Sequence, residues 1–453
     1  MEGVDGEETM TTDSCQWSRP DTKAEISRLL QEGDGSLLGR GTSLRNGEAR
    51  QNSKGTLVLM DRMNRFLNFN KVTGTLRCEA GVTIKEIMDI FLPQGWFLPV
   101  TADTKQATLG GMVAADTHGN NHHKSGCLSE YVTGLEVMVA SGEIVYCSRE
   151  ENADLFSATV GGMGLTGIIL TIDLGLRKVP TAYMSVNYER ARDLDQLLGR
   201  LLQADESDEY VTAWIDCTAG GSDLGRGIVI QASHAVVEQL PPEMKNTPLI
   251  LEPEKAACFP CSLPEFLWHR KSVKLVNSLY YLGSMFRRNP NRLVDCNRFF
   301  YGLDRHGHRE RFYGKEGYVQ YECVIPHDHV RNALVKLLEK IGRLERVSCL
   351  AKLNVCGPCQ PVGLLSFPMK GVALNVDIPV RPGLLVVLDE LDQWVLQNGG
   401  RTSLNHDNRM NAELFQEMYP DVYLWKSIKH KYDPDNRFMS HLGRRLQLTG
   451  VEQ

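Results

Sequence analysis

The sequence predicts an α+β fold built as two domains. Three observations predict it. A chain of 453 residues exceeds what one hydrophobic core usually organises. Up to about residue 180, short strand-like runs mix with short helices and lack the regular βαβ rhythm of a parallel sheet. From 181 to about 395, long strands alternate with amphipathic helices, the pattern of an antiparallel sheet covered by helices.

The elements follow in order. Residues 1–15 are polar and acidic and are expected to form a disordered tail. "PDTKAEISRLLQEG" reads as a helix, with Asp21 placed as N-cap and Ile26, Leu29 and Leu30 on one face. "GTLVLM", "RFLNFN" and "TLRCEAG" read as strands. "TIKEIMDIFLPQG" carries apolar residues at 84, 87, 88 and 91 and is a helix closed by Pro93 and Gly95. "TGLEVMVASGEIVYC" reads as a hairpin turning at Ser141 and Gly142, and "TGIILTIDLGL" as a strand. In the second block, "EYVTAWIDCT", "RGIVIQASHA", "GYVQYECVIP" and "VALNVDIPV" are strands, and "DHVRNALVKLLEKIG" and "GLLVVLDELDQWVLQN" are helices. Between them, residues 236–298 are Pro-rich and read as a long irregular loop. The segment 396–453 returns to short helices.

Bulk properties narrow the function. The net charge of −6 carries no basic excess, so no nucleic-acid partner is expected. No run of eighteen apolar residues is present, and "MEGVDGEETMTTDSC" is acidic where a signal peptide is basic and then apolar, so a cytoplasmic location is expected. Twelve scattered cysteines then read as reduced thiols.

"DTHGNNHHKSGC", residues 116–127, places His118, His122 and His123 within six positions. Adjacent histidines point apart on a strand or helix and can seldom share an ion, so no metal is expected. A solvated polar loop is one reading. A better one notes the small residues of "TLGGMVAADTHGNN", which let the backbone approach a bulky anion while His and Asn supply donors, as a diphosphate and flavin ring require. "GMGLTG" (162–167) matches a dinucleotide fingerprint, but a helix precedes it and a strand follows, the reverse of that motif's order. "CGPC" (356–359) has redox spacing yet runs into the helix-breaking "QPVGLLSFP", and with "CFPC" (258–261) it admits a four-thiolate zinc site only across irregular segments.

"TLGGMVAADTHGNNHHKSG", "SEYVTGLEVMVASGEIV", "NADLFSATVGGMGLTGII", "AWIDC", "QYECVIP", "LLSFP", "VDIP" and the terminal "FQEMYPDV…DPDNRF…RRLQL" together resemble the flavin oxidase subunits of decaprenylphosphoryl-β-D-ribose 2′-epimerases. These belong to the vanillyl-alcohol-oxidase class with a PCMH-type FAD-binding fold. The resemblance spans about residues 16–449. It implies an FAD-binding domain at 16–180, a substrate domain inserted at 181–395, and a segment 396–453 that returns to the FAD domain. It also implies FAD against two loops. The first contains Arg40, Gly41, Thr42, Ser43, Leu44, Arg45 and Asn46. The second runs through Thr104, Thr108, Gly110, Gly111, Ala114, His118, Gly119, Asn121, His122, His123 and Gly126. Gly167 and Ile168 would meet the adenosine end, and His118 would face the flavin and substrate. Some relatives link FAD to a first-loop histidine; none lies between Gly39 and Ala49, so noncovalent FAD is expected, with Cys127 as the one thiol near enough for a link.

The implied reaction removes a hydride from a secondary alcohol carbon of a sugar, with FAD as acceptor, and needs a proton acceptor and a donor at the flavin carbonyl edge. The pattern's lysine at that edge is here His406, whose charge depends on pH. Its substrate-facing cysteine is Asn375, a neighbouring asparagine is Ala373, a tyrosine near the flavin is Ser403, and one of two glutamines is Glu322. Gln320, Lys352, Trp214 and His118 are kept. The catalytic candidates are therefore His118, His406, Lys352, Asn375 and Gln320, with Trp214 and Glu322 added for substrate. Three classes of function follow: oxidation of a sugar or prenyl-phosphate sugar, with an NAD(P)H-dependent keto-reductase as partner; oxidation of a free sugar, polyol, lactone or nucleoside-like metabolite; or a degenerate binding protein. "SVKLVNSLYYLGSMF" with Lys274, Arg287 and Arg288 offers a surface for a lipid phosphate, so membrane association is peripheral at most.

Overall fold

The computed structural model describes residues 16–448 except 34, 43–48, 50, 53–54, 204–207, 252–263, 285–290, 305–312, 314–315 and 359–360. The tail 1–15, the first-loop residues Ser43, Leu44, Arg45 and Asn46, the thiols Cys258, Cys261 and Cys359, and Arg287 and Arg288 lie outside the described residues.

Five antiparallel strands form one sheet in the order Phe66–Asn70, Thr75–Glu79, Ile168–Gly175, Val132–Met138, Ile144–Cys147. The last two are the hairpin that turns at Ser141 and Gly142. A smaller sheet pairs Gln16–Ser18, Gly55–Leu59 and Ser36–Arg40 in parallel. The helix Ile84–Phe91 starts at a reciprocal cap, Thr83 Oγ1 accepting from the Glu86 N–H while the Glu86 carboxylate accepts from the Thr83 N–H. On the helix Lys23–Glu32 the cap is Thr22, not Asp21: Thr22 stands three residues before the Glu25 N–H it accepts, whereas Asp21 accepts from Arg62.

Eight antiparallel strands form the larger sheet, in the order Arg292–Asp295, Tyr183–Ala191, Gly227–His234, Tyr210–Ile215, Ala351–Cys356, Gly371–Pro379, Tyr318–Ile325, Arg401–Thr402. Gly371–Pro379 shows how its two faces divide. Val372, Leu374, Val376 and Ile378 join the core beneath the helices Leu194–Leu202, Val330–Gly342 and Leu384–Gln397, while Ala373, Asn375 and Asp377 alternate to the other face. The sheet takes its last strand at 401–402 and its covering helix runs to 397, both past the expected break at 395. Nor is 236–298 irregular throughout. Val273, Asn277 and Tyr281, four residues apart, are the buried stripe of a helix Arg270–Gly283.

The final segment packs on the N-terminal block. Phe438 bridges Leu37, Trp425 Nε1 donates to Ala158 O, and Arg444 reaches Ser36 and Asn52. Lys429, fully buried, donates to Leu165 O (2.9 Å), Phe438 O (3.1 Å) and the Asp433 carboxylate (2.5 Å). Among the described residues no helix is long and apolar enough to cross a membrane.

Candidate active site

Two adjoining cavities lie between these layers. The first is a cleft of about 1060 Å³ that opens to solvent. Its walls are backbone and small side chains: Arg40 and Gly41 from the first loop, Thr104, Thr108, Gly110, Gly111 and Ala114 from the second, and Gly167 and Ile168 at the start of the strand Ile168–Gly175. Side chains are excluded there by packing, because a Cβ on Gly110 would stand 2.9 Å from that of Ala80, and one on Gly41 would collide with Thr108 Oγ1. Thr42 ties the first loop to the second through Gln106 O (2.6 Å). A large cleft walled by glycine and alanine suits a dinucleotide, whose diphosphate must meet the backbone closely. The residues present therefore fit FAD.

The second cavity, about 790 Å³, shares Ala102, Ala115, Thr117 and Asn405 with the first. One wall is a row across four neighbouring strands, in which Trp214 pairs with Lys352, Lys352 with Asn375, and Asn375 with Glu322. Strand alternation puts all four on one face. Hydrogen bonds join Asn375 and Glu322 to Gln320: Gln320 Nε2 donates to Asn375 Oδ1 (3.0 Å), and Asn375 Nδ2 donates to Glu322 Oε1 (3.2 Å). Lys352 Nζ is held by the Asp103 carboxylate from the opposite wall (3.0 and 3.1 Å). Trp214 ends the row outside the cavity lining, its indole N–H donating to Cys349 O and its ring packed on Tyr280 at 4.9 Å.

His118, Gly119 and Asn121 line the second cavity opposite this row, with Ser403 and His406. His118 Nε2 stands 3.4 Å from Glu322 Oε1, its ring lies against Phe367, and its Nδ1 has no hydrogen-bond partner. Burial pushes the Glu322 carboxyl upward, but the contact and charge of His118, the charge of His406 and the Asn375 amide outweigh it and hold the group down at about 2. Glu322 is therefore a carboxylate at neutral pH.

His122, His123 and Gly126, expected along the flavin, line neither cavity. Buried His122 accepts the Gly357 N–H at Nδ1 (3.1 Å) and places Nε2 3.5 Å from Cys127 Sγ, and burial drives its pKa down to about 3, so it stays neutral. It fastens the loop after Ala351–Cys356 to the second flavin loop. His123 Nε2 donates to Asp208 O, and Gly126, at φ 64°, closes the turn onto His122 O. Cys127, 1% exposed, lines neither cavity. Burial pushes the Cys356 thiol up to about 12, the opposite of an activated redox cysteine.

Sequence reasoning missed Asp103, Asn354, Tyr210, Phe300, Phe367 and Asn405, which also line the second cavity. Asn354 had a signal, standing two residues beyond Lys352 on one strand.

The model of an FAD binding domain matches residues 19–148. The chain is 33% identical to decaprenylphosphoryl-β-D-ribose oxidase of Mycolicibacterium smegmatis over 93% of its length and 92% of the relative's. It is 35% identical to an uncharacterized protein of Streptomyces coelicolor, over 81% of this chain and all of the other. L-Gulonolactone oxidase of Mus musculus is 24% identical over 85% of this chain and 84% of its own. With glycine-walled cavity, FAD-domain match and near full-length identity in agreement, the chain belongs to the family of FAD-dependent sugar oxidoreductases that includes decaprenylphosphoryl-β-D-ribose oxidase.

Proposed function

We propose that the chain oxidises a secondary hydroxyl of a sugar, carried on a prenyl phosphate, to the ketone. The observation that carries this reading is the polar row Lys352, Asn375, Glu322 facing His118 where the two cavities join. When bound, FAD supplies the two-electron acceptor for the carbinol hydride. The chain must take the hydroxyl proton. A carboxylate with a pKa of about 2 is too weak a base for that at neutral pH, whereas imidazole is matched to it. His118, which lines the substrate cavity with Nε2 3.4 Å from Glu322, is the proton acceptor, and the carboxylate orients the ring and stabilises the imidazolium. Gln320, Asn375 and Lys352 hold the sugar hydroxyls. A keto-sugar product calls for an NAD(P)H-dependent reductase as partner if the sequence of reactions ends in epimerisation. The eight free cysteines among the described residues support a cytosolic setting.

A free sugar, polyol or lactone is the second reading, favoured by the hydrogen-bonded chain Gln320, Asn375, Glu322, which presents donors and an acceptor to a hydroxyl-rich ring. Anaerobic bleaching of the flavin by prenyl-phosphate sugars, free sugars, lactones and nucleosides separates the two, since only the first reading requires the prenyl-linked compounds to bleach it fastest. No bleaching by any sugar would defeat both.

Two further results are expected. Acid precipitation of the yellow protein should leave intact FAD in the supernatant, because no histidine lies between Gly39 and Ala49; flavin in the pellet would show a covalent link. His406, beside Asn405 at the junction of the cavities, should support the reduced flavin as a cation. His406→Ala should slow flavin reduction about 10²–10³-fold, and His406→Lys, which keeps a cation there, should recover most of the rate. Equal reduction rates in wild type and both variants would remove His406 from the reaction.

A further inference from the structure

The helix Arg270–Gly283 is anchored on one side and bare on the other. Inward, Val273, Asn277 and Tyr281 are buried, with Asn277 Nδ2 donating to Asp216 (2.7 Å) and Tyr281 Oη to Ala191 O (3.1 Å). Outward, at 140°, 180° and 120° around the helix if Arg270 is taken as zero and each residue advances about 100°, stand Leu275, Leu279 and Leu282. They are 62%, 61% and 52% exposed, and Phe266 just before the helix is 61% exposed. Leucines with so much surface in water mark an interaction site.

Charge decides what covers it. The helix carries Arg270, Lys271 and Lys274, all exposed, and no acidic residue, in a chain whose net charge is −6. The Asp216 carboxylate meets the helix only on its buried side, where Asn277 and Arg226 hold it, and Glu345, whose carbonyl accepts the Arg270 N–H, has its side chain paired with Arg381. An apolar stripe edged by lysines matches an anionic bilayer, where leucines enter the acyl boundary and ammonium groups meet phosphates. The helix packs against the outer end of the row that lines the site, Tyr280 on Trp214, from which the row leads through Lys352 to Glu322.

We infer that Arg270–Gly283 docks the protein on an anionic lipid surface, with Leu275, Leu279 and Leu282 inserted and Lys271 and Lys274 on headgroups. This seats the substrate cavity beside the membrane. Only the delivery of a prenyl-linked sugar from that membrane rests on the substrate reading above.

Flotation of the purified full-length flavoprotein with vesicles tests docking without any substrate. Wild type should float with vesicles containing phosphatidylglycerol and not with phosphatidylcholine alone. Lys271→Gln/Lys274→Gln should weaken binding about fivefold per lysine. Leu275→Ser/Leu279→Ser/Leu282→Ser should weaken it more than tenfold. Both variants should keep wild-type flavin reduction by a soluble substrate, showing that they fold. Absence of wild-type flotation, or equal flotation of all three proteins, overturns the inference. So does concentration-dependent self-association that the leucine variant abolishes without vesicle binding, which would make a second copy the occupant. If flotation holds while prenyl-linked sugars fail to bleach the flavin, docking stands and the substrate reading falls.

Discussion

His118→Ala is expected to slow anaerobic flavin reduction by about 10²–10⁴-fold while the protein stays folded and keeps its FAD. The ring lines the substrate cavity and makes few structural bonds, so its loss removes a proton acceptor and little packing. Glu322→Gln should cost less, about 10- to 100-fold, because it acts through His118. The double variant should be no slower than His118→Ala alone, as residues that act as a unit are not additive. Additive losses would make Glu322 an independent participant, and a wild-type rate for His118→Ala would place the proton acceptor elsewhere. Acid pH gives a separate check on the pair. Glu322 has its folded pKa depressed from 4.5 to about 2, so the stability it contributes is present above about 4.5 and is lost as pH falls through about 2. The wild type should lose that contribution only in this acid window, and Glu322→Gln should lack it at every pH.

Lys429→Met is expected to destabilise the folded protein by about 3–5 kcal/mol, the usual cost of stranding one partner of a buried ion pair. Burial lowers the lysine's own pKa, yet Asp433 and two carbonyls hold the ammonium where no water reaches it. Without it the Asp433 carboxylate, itself 0% exposed, keeps only the Arg437 and Phe438 N–H donors. Adding Asp433→Asn should restore part of the loss by removing the stranded charge while leaving an acceptor. Chemical denaturation of the two variants and wild type decides this, and a double variant no better than Lys429→Met would show that the cost lies in packing.

Much of this was legible in the residues because the signals are local. Ser141 and Gly142 mark a turn between two alternating runs, and apolar residues at 84, 87, 88 and 91 share one helix face, so that hairpin and that helix could be placed directly. The glycines and alanines of the second flavin loop announced close approach and do line the cleft. What failed was anything set by a distant partner. His122 reads as a ligand-facing histidine, yet Gly357, 235 residues on, donates to it, and nothing near Lys352 in the sequence announces Asp103, which holds it across the cavity. The parallel pairing of Ser36–Arg40 with Gly55–Leu59 carries no turn or alternation that declares it, whereas Ala351–Cys356 alternates apolar and polar residues and was legible as a strand. Arg270–Gly283 was hidden for another reason, since with leucines on its outer face its apolar pattern runs all the way round.

The closure of the first cavity by the end of the chain constrains how the protein is made. Asn405 stands in the wall of both cavities, and Trp425, Lys429 and Arg444 clasp elements of the first 165 residues. At a translation rate of roughly 5–20 residues per second, the ribosome needs about ten to forty-five seconds to go from residue 180 to residue 405. Through that interval the flavin-binding block lacks the Asn405 wall and the contacts that Trp425, Lys429 and Arg444 make with it. The full wall of the flavin cavity therefore exists only once residue 405 has been made.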